Sequence, residues 1–391
     1  MHVAYVCADE GVPVFGTKGS SVHVQEIVRA WRKKGATVTL YCTRLGTDRP
    51  DDLADLDVVE VAAGRAEGPV RELALEDAAF ALAARILHDG CELVYERYSL
   101  FSPVVSVVAS VLGVPAVLEV NAPLIEEQAR YRQLFDVERA ESALGRNARA
   151  ADVVACVSAP VVRWVHGRVP TARTVLTPNG VNVERIAART GGRHHDGHLT
   201  VAFVGTLKPW HGVPELFQAV ALANMREARS PGGPNRWAVK VIGDGPVRTT
   251  LEELATSLGL EAEFTGAVAP GSVPGLLHEC DVAAAPYPVE EPGCDDYFSP
   301  LKVYEYMAAG MPIVATSVGQ IPSILDHGRA GLLVPAGDPA AFAAALGVLA
   351  ADPGLRDQLG TQAREQAERR FSWDGVLARI TAALPAPRKV A

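Results

Sequence analysis

The sequence predicts an α/β fold made of two parallel sheets in two domains. Three observations carry this. Strand-like apolar runs alternate with amphipathic helical stretches along the whole chain, the pattern of parallel sheets covered by helices. The pattern starts twice, at Val3–Cys7 and again at Leu199–Gly205. Between the two starts lies Arg185–His198, polar, glycine-containing and without apolar period, which reads as a linker. A chain of 391 residues can bury two cores of ordinary size. The expected domains are therefore 1–185 and 198–372, with a last helix from about Trp373 towards Ala391.

Each start has the same three parts. Val3–Cys7 leads into a glycine-rich loop with Gly11, Gly16 and Gly19, then a helix expected over Ser21–Lys34. That helix carries Val24, Ile27, Val28 and Trp31 at i, i+3, i+4 and i+7 and stops at Gly35. Leu199–Gly205 leads into the loop Thr206–Gly212 and a helix from about Pro214. A strand, a loop and a helix N-terminus is the arrangement that binds phosphates in doubly wound sheets. Ser230–Pro234 reads as a surface loop, and the last residues from Pro385 as a frayed end.

Composition narrows the class. Hydrophobic residues at 48% and charged residues at 21% fit a globular enzyme. A formal net charge of −9 argues against nucleic-acid partners and gives no support to stable membrane association. The Arg32-Lys33-Lys34 cluster reads as a solvated helix face. The chain opens directly into a strand, with neither a leader nor an apolar run of about twenty residues expected. The six cysteines have no CxxC or zinc spacing, so a reduced, cytoplasmic setting is expected. Cys294, in a polar loop, reads as incidental. His194 and His195 lack the carboxylate or cysteine framework of a metal site.

The stretch Asp295–Thr316 is the most informative. It reads as a loop, a helix of about three turns, a glycine stop and a buried strand. Ser299 is expected as N-cap, Pro300 at the first helical position and Gly310 at C′. Amides at such a helix start favour an anion. Glu305 shares a face with Leu301 one turn inside. A carboxylate at that point is placed to accept hydrogen bonds from ribose hydroxyls, so the stretch reads as a nucleoside diphosphate site.

Several pieces of the second half occur in a telling order. They are Pro178-Asn179-Gly180-Val181-Asn182, Phe203–Gly212 (FVGTLKPWHG), Gly243-Asp244-Gly245-Pro246 and Phe264-Thr265-Gly266. Asp281, the Tyr297–Gly310 helix, Gly331-Leu332-Leu333-Val334 and Phe371-Ser372-Trp373 follow. In this order they resemble the retaining glycosyltransferases of family 4, and the resemblance covers nearly the whole chain. It implies the GT-B architecture, two Rossmann-like domains facing across a cleft. The C-terminal domain then binds a nucleotide sugar and the N-terminal domain an acceptor, with the last helix returning to the first domain.

The resemblance also implies roles. Glu305 matches the second carboxylate of the family's E-x7-E motif and is expected at the donor ribose, with the amides of Leu301 and Lys302 at the diphosphate. Gly16-Thr17-Lys18-Gly19 is expected to complete the phosphate site, Gly205 and Gly243 to line it, and Ala267 and Val268 to meet uracil. Three departures stand out. Thr206 and His211 occupy places where the family usually carries Arg and Lys, leaving Lys208 and Lys302 as the cations. Tyr297 occupies the first E-x7-E carboxylate, so it is expected to read the sugar by shape, helped by the backbone of Phe298 and Ser299. Asn121 stands where many members have a histidine near the reacting centre. His23, in the first turn of the first helix, reads either as a cleft residue or as local packing. Asp9 and Glu10 read as acceptor contacts or a polar loop tip. Glu126, Glu127, Arg130 and Arg132 read as acceptor recognition or a mixed-charge surface helix.

The expected activity is retaining transfer of a hexosyl group, GlcNAc or glucose, from a UDP-sugar to a soluble small molecule, in specialised-metabolite or antibiotic biosynthesis. Such transfer needs positive potential at the leaving phosphate more than a protein nucleophile, and no metal is expected to be required. Two other readings are a UDP-sugar 2-epimerase of the same architecture and a non-catalytic nucleotide-sugar-binding protein. The LKPWHG and SPLK pieces speak against the first, and the retained Lys208, Lys302 and Glu305 against the second.

Overall fold

A computed structural model describes residues 1–189, 198–227, 236–288 and 297–385. Cys294, Asp295, Asp296, His194, His195 and the loop 230–234 lie outside the described residues. The chain divides into two compact units. Unit 1 comprises Met1–Asn179, Tyr297–Ser299 and Trp373–Ala391, and unit 2 comprises Gly180–Asp296 and Pro300–Ser372.

Unit 1 holds seven strands: β1 (His2–Cys7), β2 (Thr37–Cys42), β3 (Asp57–Glu60), β4 (Leu93–Arg97), β5 (Ala116–Val120), β6 (Val153–Cys156) and β7 (Thr174–Leu176). They form one parallel sheet in the order β3-β2-β1-β4-β5-β6-β7. Val3 pairs with Val38 on one side and Leu93 on the other. Helices cover both faces, so central strands read as unbroken apolar runs, and Val3 to Cys7 are all fully buried. The first helix, Gly19–Lys33, buries Val24, Ile27, Val28 and Trp31 as its period requires.

Unit 2 repeats the plan with β8 (His198–Val204), β9 (Arg236–Ile242), β10 (Ala262–Phe264), β11 (Val282–Ala285), β12 (Ile313–Thr316) and β13 (Leu332–Val334). Its parallel sheet runs β10-β9-β8-β11-β12-β13. Both sheets therefore reverse their strand order beside the first strand of the unit, at β1/β4 and β8/β11. In open α/β sheets the crevice beyond the strand carboxyl ends at such a reversal is where ligands bind.

The unit boundary falls earlier than the linker expected at Arg185–His198. Residues after Asn179 are already tied into unit 2. The Val181 amide donates to the Phe371 carbonyl at 2.7 Å, and Arg364 donates to the carbonyls of Val183 at 2.8 Å and Ile186 at 2.6 Å. The Arg189 amide reaches the Ala309 carbonyl at 2.9 Å. Polarity signals a linker only where polar groups face water, and here the backbone groups of Val181, Val183, Ile186 and Arg189 hydrogen-bond within unit 2. The helix Trp373–Ala382 packs within unit 1 against Gly19–Lys33, with Trp373 edge-on to His23 and Asp374 paired to Lys33. No helix among the described residues is long and apolar enough to cross a membrane.

Candidate active site

The unit 2 site is built where β8 ends. Gly205 follows the strand at φ +144°, a conformation open to glycine. Its bareness matters, because a Cβ there would stand 3.1 Å from Lys302 Nζ. Gly243, at the end of β9 with φ +146°, lies so close that a Cβ would meet the Gly205 carbonyl at 2.1 Å. These two glycines let the GDGP turn close on the FVG loop, and the Leu207 amide then donates to the Asp244 carbonyl at 2.9 Å. The two motifs are one packed structure.

Lys302 is the central side chain. It sits in the first turn of the helix Leu301–Ala308 and is only 8% exposed. Its ammonium lies 4.0 Å from the centroid of the Phe203 ring and 5.1 Å from that of Tyr287. Among the described residues Nζ has no hydrogen-bond partner. Burial pushes it from 10.5 down to about 7, against an opposing pull from Glu305. A buried, unpaired cation is costly, and an anionic ligand would relieve that cost. Tyr306, from the next turn, accepts from the Val204 amide at 2.8 Å and thereby ties the helix to the end of β8.

His211 occupies a place where the family usually has a cation but is not one. Its Nδ1 donates to the Thr206 carbonyl at 2.5 Å. Burial, with Lys302 and Lys208 nearby, pushes it down to about 3. The ring is neutral at neutral pH, with Nε2 left as an acceptor. Lys208 Nζ lies 4.9 Å over the exposed Trp210 ring. Positive charge here comes from lysines 208 and 302.

The helix start differs from the expectation in two ways. The helix runs eight residues, Leu301–Ala308, about two turns, and its N-cap is Pro300 with no side-chain cap bond. Ser299 is not the cap. Its hydroxyl accepts from the Asn179 amide at 3.0 Å and its carbonyl accepts from Asn179 Nδ2 at 2.8 Å, all within unit 1. The Leu301 and Lys302 amides remain the first of the helix, with no intrahelical carbonyl to bond. Leu301 and Glu305 are its partly exposed positions while residues 302–304 are buried, so they share the outward face. Gly310 takes φ +67° at the stop. Ala267 and Val268 follow the bridge between Gly243 and Gly266 at the end of β10.

Unit 1 corrects more. His23 does not open to a cleft: it is 4% exposed, its Nε2 donates to Glu119 Oε1 at 2.7 Å, and Trp373 covers it. Burial would raise the Glu119 carboxyl, but His23 and then Arg97 hold it below the usual range. Tyr297 does not belong with the unit 2 helix that it precedes. Its ring packs on the unit 1 core and its hydroxyl donates to Glu127 Oε1. Phe298 also belongs to unit 1. Glu10 pairs with Arg71 at 3.1 Å, and Glu126 pairs with Arg168 and accepts from Trp164 Nε1 at 2.7 Å. Asp9 accepts from the Gly11 amide at 2.8 Å, shaping its own loop. Arg130 is exposed, with its guanidinium 5.4 Å from the centroid of the Tyr131 ring. Gly16 accepts from Gln25 through its carbonyl at 3.0 Å, and Gly19 opens the first helix.

Sequence reasoning missed one residue as a site member. Arg97 ends β4 with Nη1 buried and unpartnered, in register with Glu119 on β5. Asn121, expected near the reacting centre, follows β5 and likewise buries an unpartnered Nδ2. The signal was present: Glu119 and Arg97 are charges inside otherwise apolar strands, and such charges need partners.

Comparisons place this geometry in a family. Residues 198–352 match the family model described as glycosyl transferases group 1, and residues 17–185 match glycosyltransferase family 4. The chain is 30% identical to the D-inositol 3-phosphate glycosyltransferase of Acidothermus cellulolyticus, over 95% of this chain and 84% of that one. It is 28% identical to the same-named protein of Corynebacterium diphtheriae, over 91% and 86%. With the Kribbella flavida protein of that name it shares 34% identity over 54% of this chain, and spans about half (50%) of the relative. Among solved structures, HepE of Anabaena in complex with UDP and glucose superposes with TM-score 0.68 at 18% identity, covering 97% of this chain and 98% of that one. Sucrose-phosphate synthase of Thermosynechococcus elongatus gives TM-score 0.70 at 20% identity, covering 97% of each. With two parallel Rossmann-type sheets, a match along both halves and a full-length relative at 30% identity, the chain belongs to the family 4 glycosyltransferases of GT-B fold.

Proposed function

We propose that this protein transfers a hexosyl group, from UDP-GlcNAc or UDP-glucose, to a soluble small-molecule acceptor in specialised metabolism, such as antibiotic biosynthesis, with retention of anomeric configuration. The observation that carries the donor side is Lys302: a buried ammonium without a hydrogen-bonding partner among the described residues, held at Gly205 beside the β8/β11 reversal. In this reading the Leu301 and Lys302 amides and the lysines take the diphosphate, Glu305 the ribose, and Ala267 and Val268 the base.

Negative charge grows on the departing β-phosphate in the transition state, so a fixed cation there stabilises it more than the ground state. The phosphate then takes the acceptor proton on the same face, and no protein nucleophile or divalent metal is invoked. Neutral His211 adds a hydrogen-bond acceptor beside the lysines and no charge. Unit 1 serves the acceptor, with Asn121 and Arg97 as its buried unpaired donors. A second reading comes from the curated relatives, whose name makes D-inositol 3-phosphate the acceptor.

Calorimetry with UDP, followed by UDP-release assays and NMR of the product anomer, tests the proposal. Absence of UDP binding, an inverted anomer, or activity abolished by EDTA each rejects it.

A further inference from the structure

Tyr297 lies three residues before Pro300 of unit 2, yet it clusters with unit 1. Its ring packs on the core beneath the unit 1 sheet, and its hydroxyl donates to Glu127 Oε1 on the helix Leu124–Tyr131. The other oxygen, Glu127 Oε2, takes no hydrogen bond or ion pair from any described residue. The carboxylate is thus half satisfied, with one oxygen pinned and one open.

The identity of the pinning group matters. Glu10 and Glu126 are each neutralised by an arginine, Arg71 and Arg168. Glu127 is instead held by a phenol, which fixes the side chain but leaves its charge in place. Glu127 is partly buried, and burial raises its carboxyl above the usual range, against the pull of the Tyr297 bond and of Arg132. A half-open carboxylate on the helix that follows β5 accepts hydrogen bonds. It suits a hydroxyl or an ammonium, which donate, rather than a phosphate oxygen, which does not.

We propose that Glu127 binds a hydrogen-bond-donating substituent of a polyol or amino-polyol ring on the acceptor, with Tyr297 as the residue that positions it. This rests on the acceptor role proposed for unit 1. It moves Tyr297 from sugar-donor reading to acceptor specificity.

The test uses the full chain with UDP-glucose and UDP-GlcNAc as donors. The acceptor probes are myo-inositol, D-inositol 3-phosphate and the diaminocyclitol streptamine, read by UDP release and by calorimetry on the UDP-bound protein. Glu127→Gln should raise the KM of the accepted unphosphorylated probe about tenfold or more, as expected for loss of a charged hydrogen bond. Tyr297→Phe should raise it about threefold to tenfold, a neutral hydrogen bond being weaker. Donor KM and UDP affinity should stay within about twofold in both variants, since both residues belong to unit 1 and the donor is proposed for unit 2. Streptamine and myo-inositol as the preferred probes distinguish an ammonium from a hydroxyl ligand, and either supports the proposal. Preference for D-inositol 3-phosphate with its KM unchanged in Glu127→Gln overturns it. So does a Tyr297→Phe effect confined to donor preference, or no binding of any probe. UDP binding to the wild-type chain is measured alongside, so failure of this inference is distinguishable from failure of the donor site.

Discussion

The protonation state of Lys302 can be read directly through UDP. Its ammonium is buried without a hydrogen-bonding partner, and burial brings it to about 7. A diphosphate set against it favours the charged form by Coulomb attraction. At pH 8 the free lysine is then ~0.9 neutral, and a bound-state value of about 9 or more leaves ~0.1 neutral. UDP binding at pH 8 should therefore take up ~0.8 proton, falling to ~0.1 or less at pH 6, where the lysine is already charged. Calorimetry in HEPES and in Tris at equal pH gives this number from the dependence of the apparent enthalpy on the buffer's ionisation enthalpy. Lys302→Met keeps the apolar stem and should abolish the uptake while weakening UDP binding. Stability carries the same signature. Between about 7 and 10.5 the unfolded chain holds the proton that the folded chain has lost, so stability rises with pH across that window. The cost is fully present below about 7. An uptake under ~0.2 proton at pH 8, or an equal uptake in Lys302→Met, would refute a depressed, anion-seeking lysine.

Three further outcomes are expected. Glu305→Ala should weaken UDP binding about tenfold to a hundredfold through loss of a charged hydrogen bond, and unchanged affinity in a folded variant would move the ribose elsewhere. Gly205→Ala puts a Cβ 3.1 Å from Lys302 Nζ at a left-handed φ, so it should destabilise unit 2 by about 1–3 kcal/mol and depress UDP binding, read by urea denaturation and calorimetry. Glu119→Gln should cost about 3 kcal/mol at pH 7 by stranding His23. Because the Glu119 carboxyl is depressed on folding, its contribution is present above about 4.5 and lost as pH falls below it. The deficit of the variant, followed by denaturation against pH, should therefore shrink in acid. A deficit that grows there would contradict the assignment.

Local chemistry was legible in the sequence where its cause is local. The buried strands show as apolar runs because both faces are covered. The first helix shows its stripe, and Gly310 marks a left-handed stop that neighbours alone require. Expectations failed where a distant partner outbid a local rule. Ser299 has the chemistry of a cap, but Asn179, 120 residues away, takes both its hydroxyl and its carbonyl. His23 stands in a helix first turn, and its partner Glu119 lies 96 residues on. Tyr297 aligns with a donor motif, while its hydroxyl goes to Glu127, 170 residues before it. Spacing along the chain says nothing of such pairs. Gly205 and Gly243 were visible as motif glycines, but their shared purpose was not: they matter together because each removes a Cβ from the other's loop or from Lys302.

The discontinuity of unit 1 bears on how the protein is made. Trp373, which covers His23, and Asp374, which pairs with Lys33, leave the ribosome after all of unit 2. Domains generally fold as units during synthesis, N-terminal first. Here the N-terminal sheet emerges first yet waits for the chain's last helix, with His23 and its neighbours uncovered through the translation of unit 2. A nascent chain released before Trp373 carries a complete second unit and an unfinished first one. Clipping the C-terminal helix thus injures the half of the protein made earliest.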